Sequence, residues 1–154
     1  MSTKKTSTTV FIRASREEVF DLIVDTSRHR EFVWGYVDQI SGPRMMEPGT
    51  ESIWRIKLFG NTHRVYSCVT GFERPRWCQE RIHIPGLFRV TLDQTIEEAQ
   101  GGVNLTMRWC YTPVSWSATG DAAQRLINGP ATVHEAAQGT LECLKSVLEK
   151  DLVV

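Results

Sequence analysis

The chain has no excess of either charge, no closely spaced cysteines, no glycine-rich nucleotide loop and no long apolar run, and each absence removes a class of function. Eighteen basic residues are balanced by eighteen acidic ones, so no overall field draws the protein to nucleic acid or to an anionic membrane. The four cysteines, Cys68, Cys78, Cys110 and Cys143, lie far apart without a Cys-x-x-Cys pair; that spacing argues against a zinc site and suits buried thiols in a reducing cytoplasm. The histidines at 29, 63, 83 and 134 are scattered, and no metal is expected. No Walker-type or Gly-x-Gly-x-x-Gly loop opens a helix, and Ser67 and Ser117 lack the setting of a nucleophile elbow. No cofactor is expected. Nowhere do about 18 apolar residues run together, and no apolar segment of signal-peptide length follows the polar start. A cytoplasmic protein with no nucleic-acid partner and no membrane insertion is the expectation.

What is present begins with Val10-Phe11-Ile12, a short strand, followed by Ser15 at the head of an amphipathic helix. The Ser15 hydroxyl can accept a backbone N–H of the first turn, and Glu18 can return the bond as a capping box. Val19, Leu22 and Ile23 then recur at helical spacing. The polar stretch Thr26 to Glu31 predicts a second short helix or turn. Strands follow near 33–41, 50–59, 63–72, 77–84, 88–98 and 103–112, separated by Gly, Pro and Asn signals at the spacing of an antiparallel meander. From Ser117 the period is helical, with Leu126, Ile127, Val133, Ala137, Leu141, Leu144 and Leu148 on one stripe. Asn128-Gly129-Pro130 predicts a break in it, since proline removes a helix hydrogen bond. With 154 residues, the chain predicts a single domain over 1–154, with 1–8 a flexible tail. At this length roughly 70% of the unfolded surface can be buried.

The opening strand-Ala-Ser-x-Glu-Glu-Val-Phe-Asp-Leu-Ile-x-Asp, spanning Val10 to Asp25, resembles that of the START-like superfamily, also called SRPBCC or helix-grip proteins. Gly42-Pro43, Pro48-Gly49, the bend Glu73-Arg74-Pro75-Arg76, the hairpin Gly101-Gly102 and the helix close Leu141 to Glu149 are similar to further positions of that pattern. The resemblance covers nearly the whole chain, as a pattern of fold positions without a catalytic signature. It implies an α+β helix-grip fold: a curved antiparallel sheet wrapped around a long C-terminal helix, with an internal hydrophobic cavity. Met107-Arg108-Trp109 is similar to a stretch of the polyketide cyclase/dehydrase-like group. In its aromatase/cyclase members, arginines and a tyrosine reach into the cavity. Here the corresponding positions hold Val69, Ile82 and about Gly35, with Tyr36 next to it, so the chain departs from the pattern there.

Strand alternation predicts which side chains face the helix. Val103, Leu105, Met107, Trp109 and Tyr111 form one inward row, Phe88, Val90, Leu92, Gln94 and Ile96 a second, and Trp54, Ile56 and Leu58 a third. In the middle strands the preferred inward residues are His63, Val65, Ser67 and Val69, and Cys78, Glu80, Ile82 and Ile84; a one-residue bulge would swap either row. Glu80 is then a carboxyl in an apolar setting, where it must be paired, hydrogen-bonded or protonated; its other readings are a surface residue, if the register differs, and a rim carboxylate paired with Arg81, Arg89 or Arg108. His134, beside the apolar stripe of the last helix, is the second catalytic candidate because imidazole titrates near neutrality; a satisfied structural side chain is its other reading. Candidate ligand-binding residues are Trp34, Tyr36, Trp54, His63, Ser67, Ile82, Gln94, Met107, Trp109, Tyr111 and Ala137. The aromatics among them would serve a pocket wall or a filled core equally well.

Three functions fit. One is an enzyme that cyclises, dehydrates or isomerises a hydrophobic, polyketide-type intermediate by proton transfer. A second is a carrier for such a molecule, and a third a cochaperone-like interaction module with a solid core. Thr112 to Gly120 reads as a surface connection or as a lid over the cavity mouth. The sequence leaves the ligand, the reaction and the oligomeric state open.

Overall fold

In a computed structural model of the chain, residues 3–58, 60–113 and 130–150 are described. The helical pattern over 117–129, the break at Asn128-Gly129-Pro130 and all but the start of the Thr112–Gly120 connection lie outside them.

Ser15 caps α1 (Arg16–Val24) as its sequence predicts: its hydroxyl accepts from the Glu18 N–H at 3.1 Å, and the Glu18 carboxylate accepts from the Ser15 N–H at 3.2 Å. Two otherwise orphaned donors are thereby satisfied, and Glu17 and Glu18 sit where the helix dipole favours negative charge. Ser15→Ala is expected to cost about 1 kcal/mol of unfolding free energy, measurable by urea denaturation. A 3-10 turn, Thr26–Glu31, follows in the stretch expected to hold a short helix or turn.

Seven strands form one antiparallel sheet: β1 (Lys4–Ile12), β2 (Tyr36–Ser41), β3 (Glu51–Leu58), β4 (Asn61–Glu73), β5 (Trp77–Ile84), β6 (Phe88–Ala99) and β7 (Gly102–Pro113), in the order β1-β7-β6-β5-β4-β3-β2. From β2 to β7 it is a meander joined by short loops, and β1 closes on β7 through the pairs Lys4–Tyr111 to Ile12–Val103. The residues expected to be a flexible tail are therefore, from Lys4 onward, an ordered edge strand. Their Lys/Thr/Ser sequence has no apolar alternation to announce it; what forms the strand is the free edge of β7. β2 likewise begins at Tyr36 rather than 33, because the preceding residues leave the 3-10 turn.

The predicted inward rows hold in the described strands. Val65, Ser67, Val69, Cys78, Glu80, Ile82, Ile84, Val90, Leu92, Gln94, Ile96, Val103, Leu105 and Met107 are all buried. A bulge between Val69 and Gly71 shifts the end of β4, beyond the residues that matter for the site. At Gly102 a Cβ would stand 2.1 Å from the Ile12 carbonyl oxygen, so only glycine lets β1 lie this close to the β6–β7 hairpin.

The C-terminal helix, α2 (Pro130–Glu149), buries Ala137, Leu141 and Leu144 and is tied near both edges of the sheet. On the β1 side, Lys145 donates to the Phe11 carbonyl at 2.7 Å and Glu149 accepts from the Arg13 N–H at 2.9 Å. Just before β2, the Trp34 N–H donates to the Thr140 hydroxyl at 3.1 Å. A sheet whose two edges grip one helix is held in a curve, and the concave face encloses the core.

Candidate functional site

The register of the middle strands builds the site. Glu80 on β5 pairs with Leu92 on β6, and Leu92 pairs with Trp109 on β7; Gln94 is two residues along β6 on the same face. Glu80, Trp109 and Gln94 therefore frame Leu92, with directly opposed side chains about 5 Å apart at Cβ and diagonal ones about 7–8 Å. The surface between them is apolar, with Leu92, Met107 and Val69 buried.

Each polar member is unusual for its position. Glu80 is 9% exposed, and burial raises its carboxyl from the ordinary 4.5 to about 7; a hydrogen bond from the Ser67 hydroxyl works weakly in the opposite direction. The Gln94 amide oxygen and the Trp109 indole nitrogen are buried without a hydrogen-bond partner among the described residues. Buried polar atoms are nearly always paired with protein or water, and these two are exceptions on this face among the described residues.

Beside Glu80, towards β2, a small cavity of about 10 Å³ is lined by Thr26, His29, Tyr36, Gln39, Met46, Ser52, Trp54 and Ser67 as well as the carboxyl. That is room for one water molecule. Tyr36 and Trp54 stack at 6.0 Å between ring centroids, and the His29 ring meets Tyr36 edge-on at 6.5 Å. His29 Nε2 lies 2.8 Å from the Ile23 carbonyl oxygen, which assigns the proton to Nε2, and burial lowers the imidazole pKa from 6.5.

Of the residues singled out in the sequence, Glu80, Ser67, Tyr36 and Trp54 meet at this cavity, and Gln94, Met107 and Trp109 continue the same face. Ile82, Tyr111 and Ala137 are buried in the core around it. His63 is half-buried on β4, opposite Ile56. Trp34 stands apart: it is 46% exposed, because it precedes β2 and strand alternation does not govern it. His134 Nδ1 lies 3.2 Å from the Thr6 hydroxyl on β1. Thr6 pairs with Trp109, so His134 and Glu80 occupy opposite ends of one cross-strand row, and His134 is not among the residues lining the cavity at Glu80. Val69 and Ile82, at the positions where the sequence departs from the pattern it resembles, are both buried.

Sequence reasoning missed His29, Ser52 and Gln39. His29 lies in a polar stretch without periodicity, and only the fold of the 3-10 turn brings it inside. Ser52 could have been found, since it shares the inward alternation of Trp54 and Ile56.

No protein-family model matches the chain, and no curated protein matches it. Solved structures do. The di-domain ARO/CYC StfQ from the steffimycin biosynthetic pathway aligns with a TM-score of 0.77 at 12% identity, over 99% of this chain and 52% of that one. The chain thus spans about half of StfQ. The KanY protein, known from its solution structure, aligns with a TM-score of 0.69 at 17% identity, over 97% of this chain and 99% of that one. Ara h 8.0201 aligns with a TM-score of 0.68 at 12% identity, over 97% and 99%. The chain has the helix-grip fold of these proteins, and the resemblance read from its sequence is borne out at the level of the fold.

Proposed function

We propose that the concave face opens beyond the water-sized cavity beside Glu80 to admit a hydrophobic small molecule of polyketide type, and that Glu80 transfers a proton to or from it. The observation that carries this reading is the Glu80–Trp109–Gln94 frame around Leu92: one carboxyl whose pKa burial raises to about 7, flanked by an indole donor and an amide acceptor without partners among the described residues. A base with a pKa near the working pH combines a populated ionised form with useful driving force for proton transfer.

In this arrangement the Glu80 carboxylate takes a proton from the carbon next to a ketone, and the Trp109 N–H donates to the oxygen on which the charge develops. Ring closure or loss of water then returns the proton from the neutral carboxyl. The apolar walls at Leu92, Met107 and Val69 hold the chain folded, and orientation alone can supply several kcal/mol of the barrier. The origin of StfQ in a biosynthetic pathway supports the substrate class. Binding without reaction would need only Trp109, Gln94 and the apolar walls, which makes the carrier the second reading.

Native mass spectrometry of the gently purified protein and its Glu80→Gln variant tests this. An apolar molecule is expected with both, and in the variant it should be a precursor that differs by water or by ring closure on fragmentation. The same mass in both proteins assigns the carrier role instead. No bound molecule in either sinks both readings.

A further inference from the structure

The convex face of the sheet carries a feature that the concave site does not use. Two cross-strand rows of side chains flank a half-open trough of about 850 Å³. One row runs Thr112, Arg89, His83, Tyr66 and Ile53, and the other Cys110, Thr91, Arg81, Cys68 and Glu51; the strand register places each neighbour directly across from the next. Between the rows the floor is backbone, at Ser52, Ser67, Ile82 and Val90, whose own side chains are buried on the other face. The rows are two residues apart along each strand, about 7 Å, which admits a flat ring.

The geometry points to a second ligand site here, for a small aromatic anion: a ring carrying a carboxylate or a phosphate. The two ends of the trough differ in chemistry. Towards β5 and β6 it presents Arg81, Arg89 and His83, and among the described residues neither arginine has a carboxylate within salt-bridge distance. The carboxylate of Asp93, on the same face of β6, is engaged by the Trp77 indole N–H at 2.8 Å and the Gln79 amide at 3.1 Å. Guanidinium groups bind carboxylate and phosphate through paired N–H bonds, and Arg81 and Arg89 approach from adjacent strands. Towards β3 and β4 the trough is apolar, with half-buried Ile53 and with Tyr66, 37% exposed, its ring 6.4 Å from that of His83. A flat apolar body lies against Tyr66 and Ile53 while its anionic group reaches the arginines. Glu51 closes the apolar end and repels an anion bound in the reverse direction.

Calorimetric titration of the full chain with 1-naphthyl phosphate, 1-naphthoate and the neutral 1-naphthol tests the site. At least one of the anions is expected to bind at least tenfold more tightly than 1-naphthol, and whichever does so more strongly identifies the anionic group. Arg81→Gln and Arg89→Gln should each reduce that preference, and together remove it. Both side chains are exposed, and circular dichroism of the variants checks that the fold is kept. Arg64→Gln, on the same face but outside the trough, should leave the preference intact, as should Glu80→Gln, which separates this site from the concave one. Equal binding of anions and 1-naphthol, a preference that survives loss of both arginines, or an equal loss in Arg64→Gln would overturn the assignment.

Discussion

Replacing Glu80 by glutamine is expected to remove a fall in stability, on the order of 3 kcal/mol, that Glu80 imposes between about pH 4.5 and pH 7. Burial raises its carboxyl from 4.5 to about 7, so in that interval the folded chain holds a proton that the unfolded chain has released. Stability is then full below about pH 4.5, declines as the pH rises, and levels off above about pH 7. Each pH unit across the interval is worth roughly 1.4 kcal/mol. Glutamine keeps the shape and can still accept from the Ser67 hydroxyl, but carries no charge to desolvate. The variant should therefore match the wild type near pH 4.5 and exceed it at pH 8.

His29 acts in the opposite sense, because burial lowers its pKa from 6.5 and its contribution grows as the pH rises towards that value. The lowered carboxyls of Asp25, Glu31 and Glu149 lose their contributions only in more acid solution. The difference between wild type and variant isolates Glu80 from all of them. Urea denaturation at a series of pH values measures it, and parallel curves would show that Glu80 ionises as freely as a surface carboxyl.

Phe20→Ala should cost the fold about 3–5 kcal/mol, the range for emptying a buried aromatic site. Phe20 is 1% exposed at the point where α1 meets the concave face. Its ring meets Phe72 of β4 edge-on at 5.4 Å between centroids and carries the Arg74 guanidinium 4.9 Å from its centre. Arg74 also pairs with Asp21, the next residue of α1. The ring thus fastens the helix to the β4–β5 bend, and alanine empties the hydrocarbon volume and leaves Arg74 with Asp21 alone. Chemical denaturation gives the value. A loss under about 1 kcal/mol would mean that neighbouring side chains collapse into the space, in contrast to the close packing of protein interiors.

Much of the fold was legible because it rests on local rules. The Ser15–Glu18 box marks the start of α1 by itself, since capping involves atoms three residues apart. Strand alternation placed Glu80, Ser67, Gln94 and Trp109 on one face before any pairing was known, because successive side chains of a strand must point to opposite sides. Neither rule reaches β1. Lys4 to Thr9 offers no pattern of its own, and only the open edge of β7 makes it a strand. Nor does either rule reach Trp34 or His29, which lie where the chain follows neither period.

Apart from β1, the element types, the inward rows and the presence of a carboxyl among apolar neighbours were set by period and residue chemistry, which act within a segment. Which of those rows stand side by side depends on the closed sheet. Strand register put Glu80, Leu92 and Trp109 in one line with His134 at its far end, folded His29 and Tyr36 in beside the carboxyl, and set Arg81 and Arg89 together on the opposite face. Cross-strand neighbours lie far apart in the chain, and their pairing follows from the closure of the whole sheet around α2, which no local segment encodes.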